Sequence, residues 1–270
     1  MTIKTIAHIA DLHFRNFQRH DEFRAVCNNF LYHLKEINPE RLVITGDLVH
    51  SRNQLTPELV NEVSWFLKEC SDRCGKVIII PGNHDIVEQN KERMDAITPI
   101  VKTLDIKNIV YYKNSQAVID ENVVWIVYSI YDNNMAPDYS SEEYKDYVKI
   151  GLFHGIVNGM TNDFGFKFNY GADVNKFNIC DIVLCGDIHK RNILYTMNKN
   201  KINVPIIMVG SFLQQDYGET VSQHGYNVVE INDGQITHQF HDIENPVKYL
   251  TFKISDITDI ESNKEILLNA

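Results

Sequence analysis

The sequence lacks any apolar run long enough to span a membrane. Its N-terminus leads almost directly into a predicted strand, without the basic region, apolar stretch and cleavage site of a secretory signal. It has five cysteines, an odd number, and none has the Cys-x-x-Cys spacing typical of zinc ribbons and redox motifs. These absences predict an intracellular protein that makes no membrane contact and has reduced, structural cysteines.

Positive charge is also scarce, since 26 lysines and arginines face 36 aspartates and glutamates and give a formal net charge of −10. This balance argues against a surface covered with nucleic-acid-binding groups, although an acidic total can hide a local basic groove. Bound divalent metal would offset part of the charge. The hydrophobic content of 44% over 270 residues allows one large domain, alone or with a small appendage.

In one stretch, a predicted buried strand is followed directly by residues whose side chains commonly bind ligands. Residues Val77 to Ile80 form a short, β-branched apolar run, typical of a strand that is covered on both faces in an α/β sheet. The sequence Pro81-Gly-Asn-His-Asp85 ends that strand. In α/β proteins the carboxyl ends of strands open onto the crevice that binds ligands. Taken alone, however, the turn is better explained as the cap of a following helix.

Four other predicted strands end in the same way. They lead into Asp11-Leu-His13, Gly46-Asp47, His154-Gly155 and Asp187-Ile-His189. A single histidine at a strand end is usually structural. Sheet topology alone, however, does not explain why five strand ends all carry Asp, His or Asn. The mixture of oxygen and imidazole donors suits a divalent transition metal such as manganese. The absence of cysteine donors argues against structural zinc.

The remaining pattern predicts helices and short strands around these motifs. Helices are expected over about 21–37, 57–74 and 91–101, antiparallel strands within 110–131, short strands between 193 and 240, and a strand over 247–254. The acidic, tyrosine-rich residues 132–146 are interpreted as a surface loop and short helix.

The motifs together resemble those of the calcineurin-like metallophosphoesterases, in their order and in their position at strand ends. The residues that carry this resemblance are Asp11-x-His13, Gly46-Asp47, Gly82-Asn83-His84-Asp85, His154-Gly155 and Gly186-x-x-His189. A later set is similar to the region after the last motif in the SbcD-like DNA repair and recombination exonucleases, including their bacteriophage counterparts. This set is Gly210-Ser211, Gln214, Tyr217-Gly218-Glu219 and Gly225-Tyr226.

The resemblance implies an α/β fold, the four-layer metallophosphoesterase sandwich in which helices flank two central β-sheets. It implies a nuclease domain over residues 1–243 and, over 244–270, the start of a small capping domain that is truncated or reduced. It also implies DNA as substrate, an ABC-type coiled-coil ATPase (SbcC-like) as partner, a homodimer, and the cytoplasm of a bacterium or phage-infected host as location. Two rival functions remain open: hydrolysis of a small nucleotide or phosphoprotein by the same fold, and a non-catalytic scaffold that binds DNA or a partner.

The resemblance also assigns roles to individual residues. Asp11, His13 and His189 would bind one metal ion, Asn83, His154 and Asp187 a second one, and Asp47 both. The ions would be manganese, with magnesium as an alternative. His84 would act as a general acid or transition-state donor, and Asp85 would orient its ring. Asp187 departs from the family, which usually has a histidine at this position.

Five basic residues follow directly on the metal motifs and are candidates for contact with DNA phosphates. They are Arg15, Arg19, Arg52, Lys190 and Arg191. For Arg15 and Arg19 the alternative is a solvated polar loop without a function, and these two residues alone favour that alternative.

Overall fold

Two mixed six-stranded β-sheets form the centre of the protein in a computed structural model, which describes residues 2–132, 143–198, 202–232, 234–251 and 264. Apolar side chains from both sheets form one cluster between them, and helices cover the outer face of the first sheet. This architecture confirms the predicted α/β sandwich. Among the described residues, no helix is long and apolar enough to cross a membrane.

The first sheet has the strand order β12-β11-β1-β2-β3-β4. Its strands are β1 (Thr5–Ile9), β2 (Arg41–Thr45), β3 (Lys76–Ile80), β4 (Ile109–Tyr111), β11 (Gly225–Asn232) and β12 (Gln235–Asp242). Strands β1 to β4 are parallel, whereas β11 and β12 are antiparallel to their neighbours. Helices α1 (His20–Ile37), α2 (Pro57–Ser71) and α3 (Ile97–Leu104) connect the parallel strands.

The second sheet has the order β5-β6-β7-β8-β10-β9. Its strands are β5 (Gln116–Asp120), β6 (Val123–Tyr128), β7 (Val148–His154), β8 (Ile182–Gly186), β9 (Asn192–Met197) and β10 (Asn203–Met208). The four inner strands are parallel, and the edge strands β5 and β9 are antiparallel to their neighbours. Short 3₁₀ helices lie at Ile130–Asp132 and Val174–Phe177.

The central strands are apolar throughout because both of their faces are buried. In β2, for example, Val43 faces the second sheet, whereas Leu42 and Ile44 face the helices. All five cysteines are free and buried in this core.

Three sequence-based expectations about local structure are wrong. The third helix begins at Ile97 rather than near residue 91. The Asp95 carboxylate, two residues before the helix, accepts hydrogen bonds from the first two helical N–H groups, those of Ile97 (3.0 Å) and Thr98 (2.7 Å), and so favours a start there. Strand β4 pairs parallel with β3 instead of forming an antiparallel strand with β5.

The third wrong expectation is the strand at residue 247, because residues 247–251 form no strand. Tyr249 uses its backbone N–H and carbonyl to bind the side chain of Gln214, both at 2.9 Å. The rest of that prediction, over 252–254, and most of the predicted loop and helix at 132–146 lie outside the described residues.

An ion-pair network joins the two sheets at the end opposite the predicted metal motifs. The Asp120 carboxylate accepts two hydrogen bonds from Arg41, both at 2.7 Å, one from Lys76 at 2.9 Å and one from the Trp125 indole at 3.1 Å. Because the Asp120→Asn variant leaves the buried Arg41 charge without its partner, we expect its free energy of unfolding to fall by about 3 kcal/mol. Urea unfolding at pH 7 measures this loss, and metal binding should be unchanged.

The same network predicts a dependence of stability on pH. Burial alone would raise the pKa of Asp120, but hydrogen bonds from Arg41, Lys76 and Trp125 outweigh burial and hold that pKa well below its ordinary value. Its stabilisation is therefore fully present above about pH 4, the pKa of an unfolded aspartate, and is lost as the pH falls further. A stability difference between wild type and Asp120→Asn that stayed constant below pH 4 would contradict this assignment.

Candidate metal centre

The carboxyl ends of β1, β2, β3, β7 and β8 bring their ligand-type residues to one edge of the sandwich. Glycines allow this approach. A Cβ atom at Gly82 would lie 2.1 Å from Asp47 Oδ1, and one at Gly46 would lie 2.3 Å from His154 Nδ1. The strand-end glycines in the motifs therefore make room for the ligand side chains.

Four residues of this edge have a backbone conformation that side chains rarely adopt. Asp11, His13 and Asp47 have φ values of 52°, 52° and 53°, and Asp187 has a φ of 112°. Left-handed conformations of this kind cost about 1–3 kcal/mol each and are concentrated at functional sites. The fold thus sustains local strain to hold these side chains in place.

A first cluster of ligand atoms consists of Asp11, His13 and His189. One ligand atom from each of these residues lies within 4.8 Å of the others. His13 Nε2 and His189 Nε2 are 3.1 Å apart, and His13 Nε2 is 3.5 Å from Asp47 Oδ2. Burial and the neighbouring His189 lower the pKa of His13 well below its ordinary value, so its imidazole is neutral and can donate a lone pair.

A second cluster surrounds His154. Its Nε2 lies 2.9 Å from Asn83 Oδ1, 3.4 Å from Asp47 Oδ1 and 3.7 Å from Asp187 Oδ1. Its Nδ1 lies 2.7 Å from the Thr45 carbonyl oxygen, which can only accept, so Nδ1 carries a hydrogen and Nε2 faces the cluster. Asp187, at the position where the resemblance implies a histidine, thus lies at the edge of this cluster.

The two clusters share Asp47, whose two carboxylate oxygens face different histidines. This donor set fits divalent cations. Burial and the Asp47 carboxylate raise the pKa of Asp11. Burial opposes a charge on His154, but the carboxylates of Asp47, Asp187 and Asp11 outweigh it and raise the pKa of His154 to about 9. The crowded carboxylates thus stabilise positive charge at this site. Metal binding would release the protons bound by Asp11 and His154.

The His84 ring lies beside the first cluster, with its centroid 4.7 Å from that of His13. Its Nδ1 donates to the His50 carbonyl oxygen at 2.7 Å, which leaves Nε2 for another partner. The expectation that Asp85 orients this ring is wrong. The buried Asp85 carboxylate instead accepts hydrogen bonds from the backbone N–H groups of Gly82 (2.9 Å) and Val49 (3.1 Å). It therefore holds together the loops that follow β3 and β2.

His50 is a residue of this site that the sequence interpretation missed. Its ring stacks on His84 at a centroid distance of 5.5 Å, and a ring nitrogen of His50 lies within 4.8 Å of ring nitrogens of His13 and His84. The available signal was its position three residues after the strand-end Asp47.

Glu219 is a second residue whose role the sequence did not reveal. Its carboxylate accepts a hydrogen bond from His189 Nδ1, one from the Ser211 hydroxyl at 3.0 Å and one from the Gln215 backbone N–H at 2.8 Å. With Nδ1 bound in this way, Nε2 of His189 faces the first cluster. Ser211, Gln214 and Glu219 had suggested only the family branch, and the structure shows that this segment supports a candidate ligand.

Glu219→Gln should weaken metal binding at the first cluster by about 10- to 100-fold, the usual effect of removing a partner of a metal-binding histidine. The amide is a weaker acceptor and carries no charge, so the His189 ring loses part of its orientation. Calorimetric titration with Mn²⁺ measures the change. Ser211→Ala removes one hydrogen bond from the same carboxylate and serves as the matched control. Equal Mn²⁺ affinity in wild type and Glu219→Gln would show that the contact is only structural.

The five candidate DNA contacts are used mainly within the protein. Arg19 pairs with Glu22 at 2.7 Å and donates to the Gln214 carbonyl at 2.6 Å. Arg191 pairs with Asp242 and donates to the His241 carbonyl at 3.0 Å. The others bind carbonyl oxygens: Arg15 that of Gln215 (3.3 Å), Arg52 that of Asn83 (3.1 Å) and Lys190 that of Asn162 (3.3 Å). Arg52 therefore contacts a candidate metal ligand, and each of the five already has a protein partner.

Two ligand clusters that share a carboxylate at the strand ends of a double-sheet sandwich form a candidate dimetal site. The family model described as calcineurin-like phosphoesterase matches residues 4–191. The chain belongs to that family, as its motifs had indicated.

Individual relatives give a similar result. The chain is 33% identical to the uncharacterized protein R555 of Acanthamoeba polyphaga mimivirus over 272 residues, 96% of this chain and 20% of that protein. It is 25% identical to the SbcD subunit of the nuclease SbcCD from Staphylococcus saprophyticus over 244 residues, 80% of this chain and 61% of that protein. The chain thus spans less than two thirds of either relative.

Among solved structures, a dimetal phosphatase from Danio rerio resembles the chain with a TM-score of 0.53 at 10% identity. The match covers 92% of this chain and 100% of that one. At this identity the likeness concerns the fold.

Proposed function

We propose that the protein is a metal-dependent DNA nuclease that hydrolyses phosphodiester bonds at a two-metal site. The observation that carries the proposal is the pair of ligand clusters that share Asp47 and lie beside the His84 ring. The similarity to the SbcD subunit of the nuclease SbcCD supports DNA as the substrate. Manganese is the proposed metal, with magnesium as an alternative, because the donors are oxygens and imidazoles.

Each candidate ligand has a defined task in this proposal. Asp11, His13 and His189 would hold one ion, Asn83, His154 and Asp187 the other, and Asp47 both. Two bound ions would polarise the phosphodiester and make water a better nucleophile. An anion at Asp187 in place of a neutral imidazole would favour oxygen-preferring ions such as manganese. His84 would donate a hydrogen bond or proton to the leaving oxygen.

Degradation of labelled linear DNA by the purified protein tests this function. We expect cleavage with Mn²⁺, none with a chelator, and none in Asp47→Asn, which lacks the shared carboxylate. Hydrolysis of an aryl phosphodiester alone would not separate DNA from small substrates, so mononucleotides and a phosphopeptide are assayed in parallel. Turnover of those compounds without DNA cleavage would contradict the nuclease, and metal binding without any turnover would contradict an enzyme.

We also propose an ABC-type coiled-coil ATPase as partner and a homodimer as the working form. The relative described as a subunit of the nuclease SbcCD supports a larger assembly. Residues 244–270 would begin the capping domain that leads toward such a partner. Co-purification with a co-expressed ATPase of this class, followed by measurement of the mass of the complex, tests both parts. A monomer that does not retain the ATPase would contradict them.

A further inference from the structure

A short hairpin stands next to the candidate metal centre, between β7 and β8. Phe168 N–H donates to the Met160 carbonyl at 2.9 Å, and Thr161 pairs with Lys167 in an antiparallel bridge. At the tip, Asn162 N–H donates to the Phe166 carbonyl at 3.1 Å. We call residues 160–170, which comprise this hairpin and the two residues after it, the aromatic segment.

Several contacts hold the aromatic segment against the last metal motif. Lys190, the residue after His189, donates to the Asn162 carbonyl at 3.3 Å. Asn192 donates to the Thr161 carbonyl at 2.8 Å and accepts the Thr161 N–H at 2.9 Å. The Phe164 ring lies over Gly218, where a Cβ atom would be 2.9 Å from Phe164 Cζ. The position of the segment relative to the metal edge is therefore fixed.

Aromatic side chains occur at every second position of this segment, and three of the four are exposed. Phe164 is 81% exposed, Phe166 54% and Tyr170 53%. Phe168 packs beneath, with ring centroids 5.4 Å from Phe166 and 5.5 Å from Tyr170. The half-buried Phe168 orders the segment, and a contiguous exposed apolar patch such as its neighbours form marks an interaction site.

Two of the exposed rings, Phe164 and Tyr170, line two cavities that meet at the metal centre. Tyr170 lines a cavity of about 520 Å³ together with Asn83, His154 and Asp187. Phe164 lines a cavity of about 320 Å³ together with Asp187 and His189. Asp187 lies between the two cavities, so a phosphate held at the metal centre would have one aromatic wall on each side.

We propose that Phe164 and Tyr170 form a stacking platform for unpaired nucleobases on both sides of the scissile phosphate, so that the substrate is single-stranded DNA or a frayed DNA end. This inference rests on the proposed nuclease function. Every base has a flat π-face, so aromatic rings bind single strands without sequence preference, whereas the bases of a duplex are stacked on one another. Asp163 and Asp216 also line the smaller cavity, and their carboxylates would repel phosphates but not bases.

The test uses full-length protein with Mn²⁺ and a short single-stranded oligonucleotide that carries 2-aminopurine beside its central phosphate. The His84→Ala background slows cleavage during the measurement. We expect the base fluorescence to be quenched on binding, and we expect the double variant Phe164→Ala, Tyr170→Ala to lose this quenching together with at least tenfold in affinity for the single strand. Affinity for a blunt duplex should change much less.

Two controls keep the result specific. Tyr195→Ala removes a ring that is 58% exposed on the edge strand β9, which lines neither cavity, and should change nothing. Leucines at positions 164 and 170 keep apolar area without a ring. Wild-type affinity in the leucine or alanine variants would overturn the stacking role and leave the segment as a surface for a protein partner. Absence of DNA cleavage by the wild type would instead refute the nuclease itself.

Discussion

The His84→Ala variant is expected to keep two metal ions per chain and to cleave DNA about 10²- to 10⁴-fold more slowly, the usual range for a positioned proton donor. The link between residue 84 and the candidate ligands is a backbone contact, since the His84 N–H donates to Asp47 Oδ1 at 2.9 Å. Alanine retains that N–H. The ring offers Nε2 to the substrate, because the His50 carbonyl occupies Nδ1, and the variant loses this group together with the ring contacts to His50.

Atomic emission measures whether the variant keeps both metal ions, and single-turnover kinetics separately measure how much more slowly it cleaves DNA. His238→Ala, a histidine replacement on β12 at the far edge of the first sheet, is the matched control and should cleave at the wild-type rate. If His84→Ala bound one ion fewer, His84 would be a ligand, and the group of His13, His50 and His84 nitrogens would be a metal site in its own right.

The Gly82→Ala variant is expected to lose metal binding and at least about 100-fold in cleavage rate, although one methyl group is the only change. That methyl group would lie 2.1 Å from Asp47 Oδ1 and 2.3 Å from Asp47 N, so the shared carboxylate has to move. A displacement of about 1 Å at a catalytic centre costs roughly 100-fold in rate. Mn²⁺ titration and cleavage assays check the result, and circular dichroism verifies that the fold is intact.

Gly234→Ala provides the control for a general effect of losing a glycine. Gly234 lies between β11 and β12, and a Cβ atom there would meet nothing within 4 Å, although its φ of 79° makes alanine strained. This control should lose about 1 kcal/mol of stability and no activity. A Gly82→Ala protein with normal Mn²⁺ affinity would show that the Asp47 carboxylate can shift without harm.

The strands and the convergence of the motifs could be predicted from the sequence because both depend on local patterns. Strand β2, Arg41–Thr45, ends directly before the Gly46-Asp47 motif as predicted, and β3 begins one residue before the predicted apolar run of Val77 to Ile80. Short β-branched segments that end at glycine or proline leave little choice of structure. Parallel strands then place Asp11, Asp47 and Asn83 at one edge.

Contacts between distant segments could not be predicted, since no periodicity encodes them. Glu219 accepts a hydrogen bond from His189, which is 30 residues away in the sequence, and the His50 carbonyl accepts one from the His84 ring, which is 34 residues away. The start of α3 depends on Asp95, whose carboxylate also binds Lys113 at 3.0 Å. For His189 and His84 the decisive partner belongs to another segment, so the pattern around each histidine carries no sign of it.

The place of β1 in its sheet has a consequence for how the chain acquires its structure. Strand β1, which leads into Asp11 and His13, pairs on one side with β2 and on the other with β11, where Thr5 lies opposite Glu230. During synthesis β1 emerges early, but its second neighbour emerges only near the end of the chain. Pairing across such a separation is slow because a long loop has to close first. A nascent chain that stops before residue 225 would expose an open strand edge and tend to aggregate instead of forming a partly active enzyme.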